Sequence, residues 1–160
     1  MNDAITEARA LIEPSEQCRL KAYPDPKWHR VPRTAANWHE WGKPWTCGWG
    51  ETEGVTEDTI WTQDEADRRR DRCIAIVLLG VVKRCPQLHL EPPKRVAACV
   101  SLAYNIGLGA FAASSVCRLT KSREYERAAA SFGLWNKAGG RVLRGLTLRR
   151  QLEAAAYMAA

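Results

Sequence analysis

The sequence predicts an α+β fold with a small N-terminal lobe, a larger helical C-terminal lobe and a cleft between them. A β-prone run at residues 46–52, punctuated by Gly48 and Gly50, predicts a short sheet in the first lobe. From residue 63 onward, apolar residues recur at helical spacing in one segment after another. A chain of 160 residues fits one domain, so we expect two lobes joined by a helix at about 63–82.

The first predicted element is an amphipathic helix at residues 3–13, which Pro14 should end because proline cannot continue a helix. Glu16 is then expected in the turn that follows. The apolar residues of this helix share one face: Ile5, Ala8, Leu11 and Ile12.

The later helices are predicted from capping signals and apolar spacing. Thr62 and Glu65 have the form of a capping box, and the helix that they begin is charged at first and then apolar all round. Gly107 and Gly109 should end the second of these helices, and Gly139-Gly140 should form a turn. The remaining helices are predicted at 94–105, 114–121, 123–135 and 146–156.

Composition limits the classes of partner and location. The net charge of +6 suits an anionic partner such as peptidoglycan, lipopolysaccharide or nucleic acid, and charge alone does not choose among them. The longest uncharged apolar run, 73–82, is ten residues, far short of the roughly 20 that span a bilayer, so no stable membrane insertion is expected. The N-terminus lacks a basic segment followed by an apolar core, so no secretory signal is expected.

The six cysteines lack the Cys-x-x-Cys spacing of zinc knuckles and thioredoxins. Most lie among apolar residues, which favours buried reduced thiols, although disulfides formed in an oxidising compartment stay open. They are Cys18, Cys47, Cys73, Cys85, Cys99 and Cys117.

Two carboxylates and a hydroxyl near the N-terminus form the set needed to hydrolyse a glycosidic bond. A protonated carboxyl, Glu16, can deliver a proton to the leaving oxygen, and we expect it to be partly buried so that it keeps that proton. A second carboxylate, Asp25, can deprotonate a water with help from Thr46 on the other face of the sugar. Asp25 lies between two prolines, which hold its backbone stiffly.

The residues around this set carry a resemblance to a known family. Glu16 begins Glu-x-x-Arg-Leu-x-x-Tyr-x-Asp, and Thr46 begins Thr-x-Gly-x-Gly. Together they resemble the catalytic stretch of the phage-type lysozymes, the endolysins of glycoside hydrolase family 24. Blocks at 103–115 and 135–150 are similar to the family's central and C-terminal segments, and the three blocks come in the family's order.

The resemblance implies a lysozyme-like muramidase that cleaves the β-1,4 bond between N-acetylmuramic acid and N-acetylglucosamine in peptidoglycan. Glu16 would be the general acid, while Asp25 and Thr46 would hold the attacking water. Tyr104, Asn105 and Ser114 would line the saccharide groove, with local capping as the alternative role. No metal and no cofactor are implied.

The resemblance also implies where the protein acts. We expect a monomer that is made in the host cytoplasm and acts at the periplasmic cell wall. It would arrive there through a holin lesion or as part of a virion.

Three alternatives stay open at this point. The resemblance favours inversion, which needs carboxyls roughly 6.5–9.5 Å apart, whereas about 5 Å favours a covalent, retaining route. A lytic transglycosylase would need only the acid/base glutamate. A basic, non-catalytic module that binds peptidoglycan would need no catalytic residue; binding to nucleic acid is not expected, because no such motif is present.

Residues 26–45 depart from the family, whose members have a much shorter connection here. The segment carries four tryptophans, which suit either stacking on sugar rings or pinning the loop onto its own small core. A metal site from His29, His39 and Cys47 has no recognised spacing. The tryptophans are Trp28, Trp38, Trp41 and Trp45.

Two charged features have a structural and a functional interpretation. Glu51 stands where many family members carry a histidine, and we favour a salt bridge with a nearby arginine over a third active-site carboxylate. The arginines at 68–72 suggest a solvated helix face more than a nucleic-acid site.

Overall fold

The computed structural model describes residues 2–159, in which the chain divides into two compact units. The first, here called the helical unit, comprises the chain up to Ser15 and from Cys73 onward. The second, the strand unit, is Glu16–Arg72. Many helices with two small two-stranded sheets make this an α+β structure, as the sequence predicts.

The helical unit is organised around one buried helix. Residues 95–103 of α3 are all buried, and α1 and α7 both pack against this helix. Phe111, Phe132 and Tyr157 are also fully buried, and burying a side chain of this size contributes about 1.5–3 kcal/mol. The α-helices of residues 2–159 are α1 (Asn2–Ile12), α2 (Gln63–Arg84), α3 (Pro93–Ile106), α4 (Leu108–Ala113), α5 (Ser115–Lys121), α6 (Tyr125–Ser131) and α7 (Arg144–Met158). Residues 63–72 of α2 belong to the strand unit.

Several boundaries differ from the predicted ones. Gly107 does end α3, with φ +85°, but Gly109 lies inside the short helix α4. The helix predicted at 123–135 is divided into α6 and a 3₁₀ helix, Phe132–Trp135. The predicted Gly139-Gly140 turn is also the tip of a hairpin, β3 (Lys137–Ala138) with β4 (Arg141–Val142), and both glycines have the positive φ that such tight hairpins need.

The strand unit is built on a short antiparallel pair. Strand β1, Arg19–Tyr23, pairs with β2, Thr46–Gly48, across the long segment 26–45. The strand predicted at 46–52 is therefore shorter than expected, and Cys47 and Glu51 exchange two backbone hydrogen bonds that turn the chain back. Strand β1 was not predicted, although its first four residues alternate polar and apolar; it is only five residues long, and three of its side chains are exposed.

The start of α2 confirms the predicted cap and corrects the predicted arginine face. The Thr62 hydroxyl accepts from the Glu65 backbone N–H at 3.2 Å, while the Glu65 side chain accepts from the neighbouring arginines. Arg70 is only 5% exposed, so the solvated face predicted for this cluster is wrong at this position. Its guanidinium lies 4.9 Å from the centre of the Trp49 ring and pairs with Asp67 at 3.2 Å.

The burial of the cysteines and the length of the helices can be compared with the sequence predictions. Cys47, Cys85, Cys99 and Cys117 are buried with free thiols, as the apolar surroundings of most of the cysteines predict. Burial raises the pKa of the Cys99 thiol. Within residues 2–159, every helix is too short or too polar to cross a membrane.

Candidate active site

Glu16 lies directly after a single 3₁₀ turn, Glu13–Ser15, that contains Pro14. The α-helix ends at Ile12, as the proline predicts, and Glu16 follows outside regular structure. Its side chain is half-buried and approaches Gly50: a Cβ built on Gly50 would stand 3.9 Å from Glu16 Oε2. Gly50 has φ +97°, which favours glycine, so this turn can run past the carboxyl group.

Tyr23 connects Glu16 with Thr46. The two strands pair Tyr23 with Thr46, and the Arg19 guanidinium lies 4.6 Å from the centre of the Tyr23 ring. Burial raises the pKa of Tyr23, Arg19 opposes this shift, and the negative charge of Glu16 adds to it. A side-chain hydrogen bond with Thr46 lowers the pKa of the same hydroxyl. The strand unit therefore gathers Glu16, Tyr23 and Thr46 into one neighbourhood.

Asp25 follows the end of β1 and caps the 3₁₀ helix Pro26–Trp28. Its Oδ1 accepts from the Lys27 backbone N–H at 2.9 Å, which fixes one carboxylate oxygen. Its own backbone N–H donates to the Gly42 carbonyl at 2.9 Å. The stiff backbone predicted from the flanking prolines is thus reinforced by two hydrogen bonds.

The three residues predicted to line the saccharide groove lie in the helical unit. Tyr104 and Asn105 are in the last turn of α3, where Asn105 is exposed and Tyr104 is half-buried. Ser114 is buried and caps α5: its hydroxyl donates to the Phe111 carbonyl at 2.7 Å and accepts from the Cys117 N–H at 3.1 Å. The structure therefore gives Ser114 its alternative, capping role, and contact of all three with substrate stays a prediction.

Comparison with known proteins assigns the chain to a family. The family model described as "Phage lysozyme" matches residues 13–153. The chain belongs to the phage lysozyme family. The resemblance predicted from the three sequence blocks is thereby confirmed.

Individual members of the phage lysozyme family show how far the likeness extends. The chain is 48% identical over 149 residues to an endolysin of Bacillus phage PZA, covering 92% of this chain and 52% of that protein. It is 34% identical over 122 residues to an endolysin of Acyrthosiphon pisum secondary endosymbiont phage 1, covering 72% and 81%. The chain spans about half the length of several curated relatives that it matches.

A solved structure supports the same fold. A crystal structure of a P22 lysozyme mutant superposes with a TM-score of 0.70 at 26% identity, covering 99% of this chain and 97% of that chain. The predicted lysozyme-like α+β fold is confirmed by this likeness.

The segment at 26–45, here called the insert, has an aromatic core of its own. The ring of Trp41 lies 6.5 Å from that of Trp28 and 5.9 Å from that of Trp45, which is 9% exposed. Trp38 is different, because it is 56% exposed and packs edge-on against His39. Three tryptophans therefore pin the loop, and Trp38 is the most exposed of the four.

Glu51 takes the structural role favoured from the sequence. Its Oε1 lies 3.5 Å from Arg69 Nη1, and the Arg69 guanidinium lies 4.5 Å from the centre of the Trp61 ring. Tyr23, by contrast, was not predicted to be a site residue. Its place in the Glu-x-x-Arg-Leu-x-x-Tyr-x-Asp motif was visible, but its pairing with Thr46 depends on a strand that the sequence did not predict.

Proposed function

We propose that this protein is a peptidoglycan hydrolase, a muramidase that cleaves the β-1,4 bond between N-acetylmuramic acid and N-acetylglucosamine. The observation that carries the proposal is the gathering of Glu16, Tyr23 and Thr46 in one neighbourhood of a phage lysozyme family chain. Endolysins are the relatives that match it, which supports peptidoglycan as the substrate.

The proposed mechanism uses each group for one proton or one bond. Glu16 gives its proton to the glycosidic oxygen as the bond from that oxygen to the anomeric carbon breaks. Asp25, with Thr46, holds a water and takes one of its protons while the water oxygen bonds to the anomeric carbon. The family resemblance favours inversion at that carbon.

The setting is part of the proposal. We propose that the protein is a monomer made in the host cytoplasm, which reaches the periplasmic wall through a holin lesion or as part of a virion. Tyr104 and Asn105, at the end of α3, are proposed to contact the saccharide, because Asn105 is exposed and its amide both donates and accepts hydrogen bonds.

The first test is clearing of outer-membrane-stripped Gram-negative cells by the wild type and by Glu16→Gln. Loss of a general acid lowers a rate by about 10²–10⁴-fold, so clearing should be abolished on the time scale of the wild-type assay. Glu53→Gln is the matched control, since this exposed turn residue lies in the same unit and undergoes the same substitution.

Mass analysis of the released fragments identifies the reaction. Reducing-end muramic acid, with one water added per bond broken, supports hydrolysis. Anhydromuramic products would instead identify a lytic transglycosylase. Equal clearing by wild type and Glu16→Gln would refute the role of Glu16 and favour a non-catalytic binding module.

A further inference from the structure

The insert at 26–45 is bonded directly to Asp25, at three different groups of that residue. Its backbone N–H donates to the Gly42 carbonyl, its own carbonyl accepts from the Trp28 backbone N–H, and its Oδ1 accepts from the Lys27 N–H, each at 2.9 Å. The insert therefore sets the main-chain and side-chain orientation of this carboxylate.

These bonds belong to a closed circuit. The indole N–H of Trp28 donates to the Lys43 carbonyl at 2.9 Å. Lys43 follows Gly42, whose carbonyl in turn accepts from Asp25. The start and the end of the insert are thus joined across its base by one indole, with Asp25 as a member of the same ring of bonds.

The far side of the circuit is held in place by packing. Gly42 is buried with φ +89°, and a Cβ added to it would lie 2.3 Å from Cζ2 of Trp45. The Trp45 ring therefore lies against the Gly42 backbone, which leaves the carbonyl that binds Asp25 little freedom to move.

We propose that the insert is a positioning scaffold for Asp25 and that Trp28 is the positioning residue that closes it. The proposal rests on the function proposed above, in which Asp25 aims the attacking water. An error of about 1 Å in the position of a catalytic group can lower a rate by roughly 10²-fold. Loss of the Trp28 indole bond should therefore lower kcat, while substrate binding stays the same.

The chain offers a matched control in Trp41. Trp28 and Trp41 are both half-buried, their rings pack against each other, and each donates its indole N–H to a carbonyl within the insert. The Trp41 bond goes to Val31 at 2.7 Å and lies outside the circuit of Asp25. Trp28→Phe and Trp41→Phe therefore remove the same chemical group from the same small core.

The experiment measures kcat and KM of both variants on a soluble peptidoglycan oligosaccharide. Trp28→Phe should lower kcat by about tenfold or more with little change in KM, and Trp41→Phe should keep kcat within about twofold. Benzothienylalanine at position 28, which keeps the bicyclic ring and replaces N–H by sulfur, should reproduce the effect of Trp28→Phe. Thermal unfolding of each variant shows whether the insert is still folded.

A double-mutant cycle with Asp25→Asn separates positioning from general damage. If Trp28 acts through Asp25, adding Trp28→Phe to Asp25→Asn should change kcat by less than about twofold, since the positioned group is already gone. If the losses in kcat multiply, or if the two tryptophan variants have equal effects, the positioning role of Trp28 is refuted and the muramidase proposal is not affected. Wild-type activity of Asp25→Asn would instead refute the role of Asp25 itself, while Glu16→Gln tests the muramidase proposal independently.

Discussion

Each of the two units of this molecule is stabilised internally by a different kind of interaction. Within residues 2–159, the large cluster of buried apolar side chains lies entirely in the helical unit. The strand unit contributes only Trp45, Cys47 and Ala66 to the buried apolar residues of that part of the chain. Its tryptophans instead use their indole N–H groups, at Trp28, Trp41 and Trp49, to bind carbonyl or carboxylate oxygens.

This difference has a consequence for function. A helix satisfies its own backbone and presents apolar side chains to a core, so its position tolerates modest changes in any one contact. In the strand unit, Asp25 is held by directional hydrogen bonds with Gly42, Trp28 and Lys27, so the loss of one bond acts on one group. We therefore expect core substitutions in the helical unit to change stability alone, and substitutions at the bonds and packing contacts around Asp25 to change the geometry of that residue as well.

The largest expected effect on stability is in the helical core. Phe111 is fully buried in that cluster, so Phe111→Ala leaves a cavity and should lower the free energy of unfolding by about 3–5 kcal/mol. Denaturant unfolding followed by circular dichroism measures this loss. Leu134→Ala, at a residue that is 68% exposed in the same unit, should stay within about 0.5 kcal/mol. Similar losses for the two variants would contradict the assigned core.

The same substitution at two glycines compares the units directly. Gly42→Ala forces a side chain into a positive φ and against the rigid Trp45 ring, so it should cost about 2–3 kcal/mol. At Gly80 in α2 the new Cβ meets the end of the Leu108 side chain at 2.5 Å, and that side chain can rotate away. Alanine also has a helix propensity that is more favourable than that of glycine by about 0.8–1.0 kcal/mol.

Thermal and denaturant unfolding of both glycine variants provide the test. Gly80→Ala should change stability by no more than about 1 kcal/mol in either direction, because its gain and its clash oppose each other. Should the two variants prove equally destabilised, the insert would lack the tight packing of Gly42 against Trp45 that positions the carbonyl bound by Asp25.

The contrast also explains what the sequence could predict. Pro14 indicates where α1 ends, and Thr62 with Glu65 indicates where α2 begins, because these signals act within one turn of the chain. Strand β1 was missed, since its partner β2 lies beyond the insert and the pairing of Tyr23 with Thr46 is a long-range contact.

The features of the candidate site also divide into those that the sequence identifies and those that only the folded structure shows. Glu16, Asp25 and Thr46 are identified by residue type and motif, and their catalytic roles stay predictions. The four tryptophans of the insert suggest both a sugar platform and a loop core, and composition cannot choose between them. The choice depends on which carbonyl each indole reaches, a property of the folded loop, as are the bonds from Asp25 to Gly42 and Trp28.

The smallest expected effect compares one half-buried and one exposed carboxylate. Glu91, in the helical unit, accepts hydrogen bonds from Tyr125 Oη and Arg95 Nη1, each at 2.5 Å. Glu57, in the strand unit, pairs with Arg33 at 2.7 Å, but both side chains are about 45% exposed. Glu91→Gln should cost about 1–2 kcal/mol at pH 7, and Glu57→Gln less than about 1 kcal/mol.

The dependence on pH makes this comparison sharper. Burial alone raises the pKa of Glu91, but the hydrogen bonds from Tyr125 and Arg95 outweigh it and lower that pKa. A carboxyl whose pKa is lowered by folding stabilises the protein above its unfolded pKa, about 4.3 for glutamate, and this stabilisation is lost as pH falls through the folded value. The stability difference between wild type and Glu91→Gln should therefore be largest near neutral pH and shrink below about pH 4. Unfolding measured from pH 7 to pH 3 tests this, and a difference that grows on acidification would show that Glu91 is protonated in the folded protein.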